Sequence, residues 1–380
     1  MSKKLIALLI SIIFCYNAGA QWVNKSFIYD SQTRSYRVYT APNYNPANPA
    51  SLVITLHGLG DNMTNFSTAL KFNYIADTAN IVIICPQAIS DAIAGTAWNS
   101  GAGFMGYYPN STVDDVGFIN ALVDTTKANY SIDSSKVYLC GFSMGGFMTE
   151  RMALQSNSKF AAFASMSGTI GSGITSFNPG RPIRIAHFHG TSDATVAFSG
   201  NSYGVDADSL INFWVLNNGG SFTHDSIQYL NTVNDNITVD RFKYSTGNPD
   251  NEVWFFRMNG ADHTILYKPT NDITEIYEMW LFFRNIIDPT AGIYASASEK
   301  KNVQVYPNPA ADFINVILPE TSEKIKVEIY SVHGALVYSA IVQNSFHHIS
   351  LDKAKFHNGM YLIRVSGASV NYTQQIIIQK

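Results

Sequence analysis

The chain has 380 residues, 46% of them hydrophobic and 13% aromatic, enough apolar material for a substantial core in one large domain or two unequal ones. Charged residues make up only 14% and the formal net charge is −3. That balance excludes disorder over most of the chain and gives no basic face for nucleic acid or an anionic membrane.

Residues 1–20 combine Lys3 and Lys4, an apolar run from Leu5 to Phe14, and Ala18-Gly19-Ala20 before Gln21. This is the pattern of a signal peptide cleaved after Ala20. The apolar run is too short to cross about 30 Å of hydrocarbon, so no membrane span is expected in the mature chain. Phe14 is too bulky to precede a lipid-modified Cys15. Cys85 and Cys140 each end an apolar run and read as buried thiols. A disulfide is possible in an exported protein, but in the expected sheet order a strand separates them by roughly 9–10 Å, which argues against the bridge.

From Phe27 to Tyr39 two alternating aromatic runs flank Ser31-Gln32-Thr33, which reads as an antiparallel hairpin. Short continuous apolar runs follow at 52–56, 81–85, 137–140, 160–166, 183–188 and 253–258. Runs of this kind are strands buried on both faces. Segments of helical spacing, including 116–123 and 144–154, lie between them. The expected fold class is α/β, with a mostly parallel central sheet and helices on both faces. A last helix is expected to open at Asp272, where Asp272 and Glu275 have the form of a capping box. The first domain is therefore placed at 21–288 and a linker rich in Ala and Ser at 289–302. Beyond 303 the apolar period becomes two, as at Ile325, Val327 and Ile329, and turn signals recur at His333-Gly334 and Asn358-Gly359. Residues 303–380 read as a small β-sandwich. No repeat of fixed period is visible.

Gly141-Phe142-Ser143-Met144-Gly145 matches the G-x-S-x-G nucleophile elbow, and its setting between an apolar run and a helical segment makes the match specific. A serine hydroxyl is a weak nucleophile until a base takes its proton and a carboxylate orients that base. Asp193 follows the run 183–188, and His263 follows the run 253–258, so acid and base come in the chain order this elbow requires. Asp206 and Asp208 lead into a helix and read as caps; His224 follows no buried strand. The backbone N–H of Met144 and that of Leu59, or alternatively Gly58, are the expected donors to the developing oxyanion. His57 is assigned to shaping that loop. His187 and His189 point the same way, but no third ligand has matching spacing, so no metal and no cofactor are assigned. Asp114 and Asp115 read as a helix N-terminal cap. Trp98, Asn99 and Tyr107 lie in an aromatic, glycine-rich stretch and are candidates for a substrate wall; the competing reading is a loop packed on itself.

These residues resemble the secreted feruloyl esterase and polyhydroxybutyrate depolymerase family of α/β hydrolases. The segments carrying the likeness are 34–39, 56–58, 113–118, 137–146 and 189–196. The resemblance implies carboxylic-ester hydrolysis, with the serine, aspartate and histidine roles on Ser143, Asp193 and His263. Three positions depart from the family pattern. Ala197 stands where a proline is usual, Met144 where asparagine is frequent, and Asp262-His263-Thr264 replaces a Gly-His pair. Residues 306–310, 329–334, 359–363 and 375–380 resemble a type IX secretion sorting domain. That likeness implies secretion machinery as a partner and a secreted or surface-attached product.

The expected function is a secreted serine esterase acting on feruloyl or acetyl esters of plant polysaccharide, or on hydroxyalkanoate polyesters, as a monomer. The same triad cleaves amides, which keeps a serine peptidase as the alternative, although no accessory propeller or cationic pocket is visible. A non-catalytic surface binding protein is the third reading. It needs an exposed aromatic platform, and Tyr306, Tyr330, Tyr338, Tyr361 and Tyr372 are spaced more like strand core.

Overall fold

Apolar runs buried along their whole length build the middle of the protein. In the computed structural model, residues 21–285 and 303–379 are described, apart from 43, 105, 177, 319–323, 332–334, 353, 368 and 369. The expected signal peptide and linker lie outside the described residues. In chain order the first part comprises β1 (Gln21–Tyr29), β2 (Gln32–Thr40), β3 (Ala50–Leu56), α1 (Met63–Leu70), α2 (Asn73–Ala76), β4 (Ile81–Pro86), β5 (Ile89–Asp91) and β6 (Gly95–Ala97). It continues with α3 (Asp115–Asn129), β7 (Ile132–Phe142), α4 (Met144–Gln155), β8 (Ala162–Met166), β9 (Ile185–Gly190), α5 (Ala207–Asn217), β10 (His224–Gln228), β11 (Thr238–Tyr244), β12 (Val253–Asn259) and α6 (Glu275–Phe283).

Ten strands form one sheet in the order β1-β2-β4-β3-β7-β8-β9-β12-β11-β10. Strands β4 to β12 within that order run parallel, and antiparallel ribbons close both edges. Side chains alternate between the two faces of each strand. Leu52, Ile54 and Leu56 accordingly face α3, α4 and α5 with Phe118, Met148 and Trp214. Val53, Tyr138 and Cys140 face the opposite layer, where α1 and α6 contribute Leu70, Trp280 and Phe282. Each such fully buried Leu, Ile or Phe contributes roughly 1.5–3 kcal/mol. Cys85 and Cys140 are free and buried on β4 and β7, with β3 between them.

Two sequence expectations are corrected at the helix starts. Asp114 caps α3 by accepting from Gly117 N at 2.8 Å, but Asp115 does not cap; it pairs with Arg34 at 2.6 Å in the core. The capping box at Asp272 does not form. α6 begins at Glu275 with Thr274 at the N-cap and no side-chain cap. Asp272 instead accepts from Thr232 N at 2.7 Å, and Glu275 accepts from Leu266 N at 2.7 Å. The Leu266 N–H is buried, and leaving it without a partner costs more than an uncapped helix turn, so it claims Glu275; Asp272 is taken by the loop at 232–233.

The C-terminal part is all β: β13 (Gln304–Tyr306), β14 (Phe313–Ile317), β15 (Ile325–Ser331), β16 (Leu336–Val342), β17 (Phe346–Ser350), β18 (Gly359–Ser366) and β19 (Asn371–Ile378). A three-stranded sheet, β13-β14-β17, and a four-stranded sheet, β16-β15-β18-β19, enclose Ile314, Val327, Ile329, Ile363 and Ile376. Tyr361 is core as expected, whereas Tyr306 is 42% exposed and is not. Met360 of β18 joins the buried cluster around Ile75 and Ala76 of the first part.

Two carboxyls in the helical layers carry a pH signature. Burial pushes Glu150 of α4 and Glu275 of α6 each up to about 8. Among the described residues Glu150 is hydrogen-bonded only by Trp214 Nε1, at 2.8 Å. A carboxyl whose native value lies above its unfolded value gives stability that is complete below about pH 4.5 and is lost as pH rises through about 8. Each group should therefore lower the unfolding free energy by on the order of a few kcal/mol between pH 5 and pH 9, pulling the midpoint of thermal unfolding down with it. Glu150→Gln should flatten that fall in scanning calorimetry, and an equally steep variant would assign it elsewhere.

Candidate active site

β7 ends at Phe142 and α4 begins at Met144, so Ser143 alone makes the strand-to-helix turn. Its backbone sits at φ 56° and ψ −121°, a conformation costing about 1–3 kcal/mol. It is held on both sides: Ser143 N donates to Met166 O at 2.8 Å, and Phe147 N donates to Ser143 O at 3.0 Å. The turn closes because two neighbours lack side chains. A Cβ on Gly141 would lie 2.2 Å from Gly145 O, and one on Gly145 would lie 2.1 Å from Leu56 O.

Asp193 and His263 reach the serine from the ends of β9 and β12. His263 Nδ1 lies 2.7 Å from Asp193 Oδ2, and His263 Nε2 lies 2.9 Å from Ser143 Oγ. An ionised carboxylate only accepts, so His263 Nδ1 carries the proton and Nε2 is free to take one from the hydroxyl. Asp193 Oδ1 also accepts from Thr195 N at 2.9 Å and Val196 N at 2.8 Å. Burial disfavours its charge, but the His189 Nε2–H group 3.5 Å away and the hydrogen bond from His263 outweigh burial and hold the carboxyl well below the usual range.

The loops carrying acid and base are joined by a residue to which sequence reading gave no role. Asp262 Oδ1 accepts from His263 N at 2.7 Å and from Ala194 N at 2.9 Å, clamping the base loop to the acid loop. The only signal in the sequence was its place beside His263.

Leu59 and Met144 border the same cavity as Ser143 and His263, about 350 Å³ in volume. Gly58 comes close to the nucleophile, since a Cβ there would lie 3.4 Å from Ser143 Cβ. His57 holds this loop from beneath. Its Nε2 accepts from Ala88 N at 3.1 Å, so its Nδ1 donates to Gly58 O at 2.8 Å. Burial lowers the basicity of His57, which favours that neutral form. Phe142, Phe147, Val196 and Tyr203 give the cavity apolar walls, and Asp61 adds one carboxyl. A larger hollow of about 500 Å³ opens beside Ser51, Lys136 and Arg184, at the opposite ends of the parallel strands, away from the serine.

The three residues expected to form a substrate wall do not line the cavity. Trp98 is fully buried and donates from Nε1 to His57 O at 2.9 Å. Asn99 receives Arg151 on both its oxygens and donates to Val113 O at 2.7 Å. Tyr107 donates to Asp91 at 2.6 Å. The stretch packs on itself, and the aromatic side chains that line the cavity are Phe142, Phe147 and Tyr203, the last stacked against Phe104 at 6.1 Å.

Residues 44–206 match the phospholipase/carboxylesterase family model, and residues 304–379 match the secretion system C-terminal sorting domain. The chain thus carries one segment that matches a carboxylesterase family model and another that matches a secretion sorting domain. A bifunctional acetylxylan esterase/xylanase of Neocallimastix patriciarum is 27% identical over 65% of this chain and 33% of its own length. Feruloyl esterase C of Emericella nidulans is 28% identical over 49% of this chain and 62% of its own. Poly(3-hydroxyalkanoate) depolymerase C of Paucimonas lemoignei is 30% identical over 41% and 43%. The matched region thus spans between a third and two thirds of these relatives, and the likeness seen in the sequence to both esterase kinds is present among them.

The closest approach in the elbow is testable. Because the atom facing Gly145 is backbone, Gly145→Ala leaves nothing flexible to give way. It should lower the urea midpoint by the equivalent of about 1–3 kcal/mol; an unchanged midpoint would show that the turn has slack.

Proposed function

We propose that the chain is an exported serine carboxylic-ester hydrolase that works through an acyl-enzyme on Ser143. The observation that carries this reading is the continuous relay from Asp193 through His263 to Ser143, at 2.7 and 2.9 Å, opening into an apolar-walled cavity. In this reading His263 takes the hydroxyl proton as Ser143 Oγ attacks the ester carbonyl. The N–H groups of Met144 and Leu59 receive the oxyanion, and the N-terminus of α4 adds its dipole. His263 then passes the proton to the departing alcohol, and a water molecule repeats the sequence to release the acid.

The substrate class follows the relatives: feruloyl or acetyl esters of plant polysaccharide, or hydroxyalkanoate polyesters. Walls of Phe142, Phe147 and Val196 suit an uncharged acyl group. The sorting domain delivers the enzyme to the secretion machinery and takes no part in the chemistry.

On a short p-nitrophenyl ester, Ser143→Ala should lower kcat on the order of a million-fold and Asp193→Asn about ten-thousand-fold. Turnover by the serine variant equal to wild type would remove the proposal. A purified chain truncated after residue 289 should keep wild-type kcat; a folded but inactive truncation would give the terminal segment a role in catalysis. Comparing methyl ferulate, acetylated xylan and hydroxybutyrate oligomers identifies the ester.

A further inference from the structure

Behind the acid loop lies a second pair of histidines that the relay does not use. His187 and His189 of β9 are both buried, with His189 fully so. His189 Nε2 lies 2.8 Å from Val196 O and 3.5 Å from Asp193 Oδ2. A carbonyl oxygen only accepts, so Nε2 must carry the proton. His189 Nδ1 is then an acceptor, and it lies 3.0 Å from His187 Nε2, which donates to it. One tautomer of each ring satisfies every contact, and His187 Nδ1 is left without a partner among the described residues. Phe198 meets the His189 ring edge-on and Phe255 stacks on His187, so neither ring has room to turn.

Val196 stands at the junction of two functions. Its N–H donates to Asp193 Oδ1, its carbonyl receives His189, and its side chain lines the cavity. The end of the turn at Val196 is therefore held by two bonds, one to the carboxylate the turn carries and one from a ring fixed on the sheet, beside those that Thr195 N and Ala194 N make to Asp193 and Asp262.

We infer that His189, held in a single tautomer by His187, is a positioning residue that sets the height of the Asp193 carboxylate under His263 and the place of the Val196 wall. The inference rests on the serine hydrolase reading, since Asp193 matters only if His263 serves Ser143. Without the Nε2 donor the Val196 carbonyl is buried and unpaired, and the turn relaxes to find a partner. A displacement of about 1 Å at the acid is enough to cost on the order of a hundredfold in rate.

The test compares His189→Phe, which keeps an aromatic ring against Phe198 but is somewhat larger and has no donor, with His189→Gln, whose side-chain amide can reach Val196 O. The primary readout is the rate at which a fluorophosphonate labels Ser143 in the full chain, with kcat on p-nitrophenyl acetate beside it. His189→Phe should label 10- to 100-fold more slowly, and His189→Gln should recover to within about fivefold of wild type. A folded His189→Phe at the wild-type rate overturns the inference. Equal losses in both variants also overturn it, because packing alone would then explain them. If His189→Phe does not fold, His187→Phe, which removes only the donor to Nδ1, should slow labelling several-fold; no change there counts against the relay. A wild type that labels at Ser143 yet hydrolyses no ester defeats the proposed function and leaves this test standing.

Discussion

The structure depends on how closely backbone can approach backbone where β7 becomes α4. Gly145 lies against the carbonyls of Leu56 and His57, and Gly168 lies against Phe147 N and Ser143 O. No side chain fits at either position. That closeness lets a single residue turn the chain from strand to helix, lifts the Ser143 hydroxyl above the sheet, and brings Gly58 of the neighbouring loop beside it. The strain at Ser143 persists because β3 and β8 hold the turn from both sides and the layers of buried side chains hold those strands.

Around that fixed point Ser143, Asp193 and His263 are gathered by short polar bonds between loops. Asp193, Asp262 and His263 belong to two loops that share carboxylates and N–H groups, so neither loop can move alone. A separate buried network performs the equivalent task on the other side. Arg34 pairs with Asp115, Asp115 accepts from Asn99 N at 2.7 Å, and Arg151 of α4 holds the Asn99 oxygens. β2, α3, α4 and the stretch after β6 are tied together there. A buried ion pair of this kind is a strong constraint on geometry even where its net stability is small, because removing one partner leaves the other charged and unsolvated. The aromatic stretch is thereby a support for the oxyanion loop, through Trp98 and His57, and not a wall of the cavity.

Much of this was legible in the sequence. Period-two and continuous apolar runs located the central strands, since burial on both faces leaves no polar alternation to confuse the reading. The order Ser143, Asp193, His263 was legible because each follows such a run. The sandwich after residue 303 was legible from its alternation, as at Ile325, Val327 and Ile329. Local rules failed where tertiary partners competed for the same atoms. Asp272 and Glu275 satisfy the capping pattern, yet Asp272 is claimed by the distant loop at Thr232 and Glu275 by Leu266 N in the segment leading into the helix. Asp115 looks like a cap and is instead the partner of Arg34.

What the sequence determined by itself was the central strand and helix pattern, the tight turn at Ser143 and the chain order of Ser143, Asp193 and His263. All of these follow from local backbone demands and the periodicity of burial. Only the tertiary structure decided which side chains face the cavity. It turned Trp98, Asn99 and Tyr107 inward and brought Tyr203 and Val196 to the serine. It also stacked His187 and His189 behind Asp193 in one tautomer. Those choices depend on partners far away in the chain, such as Arg151 for Asn99, 52 residues on, and no local pattern encodes them.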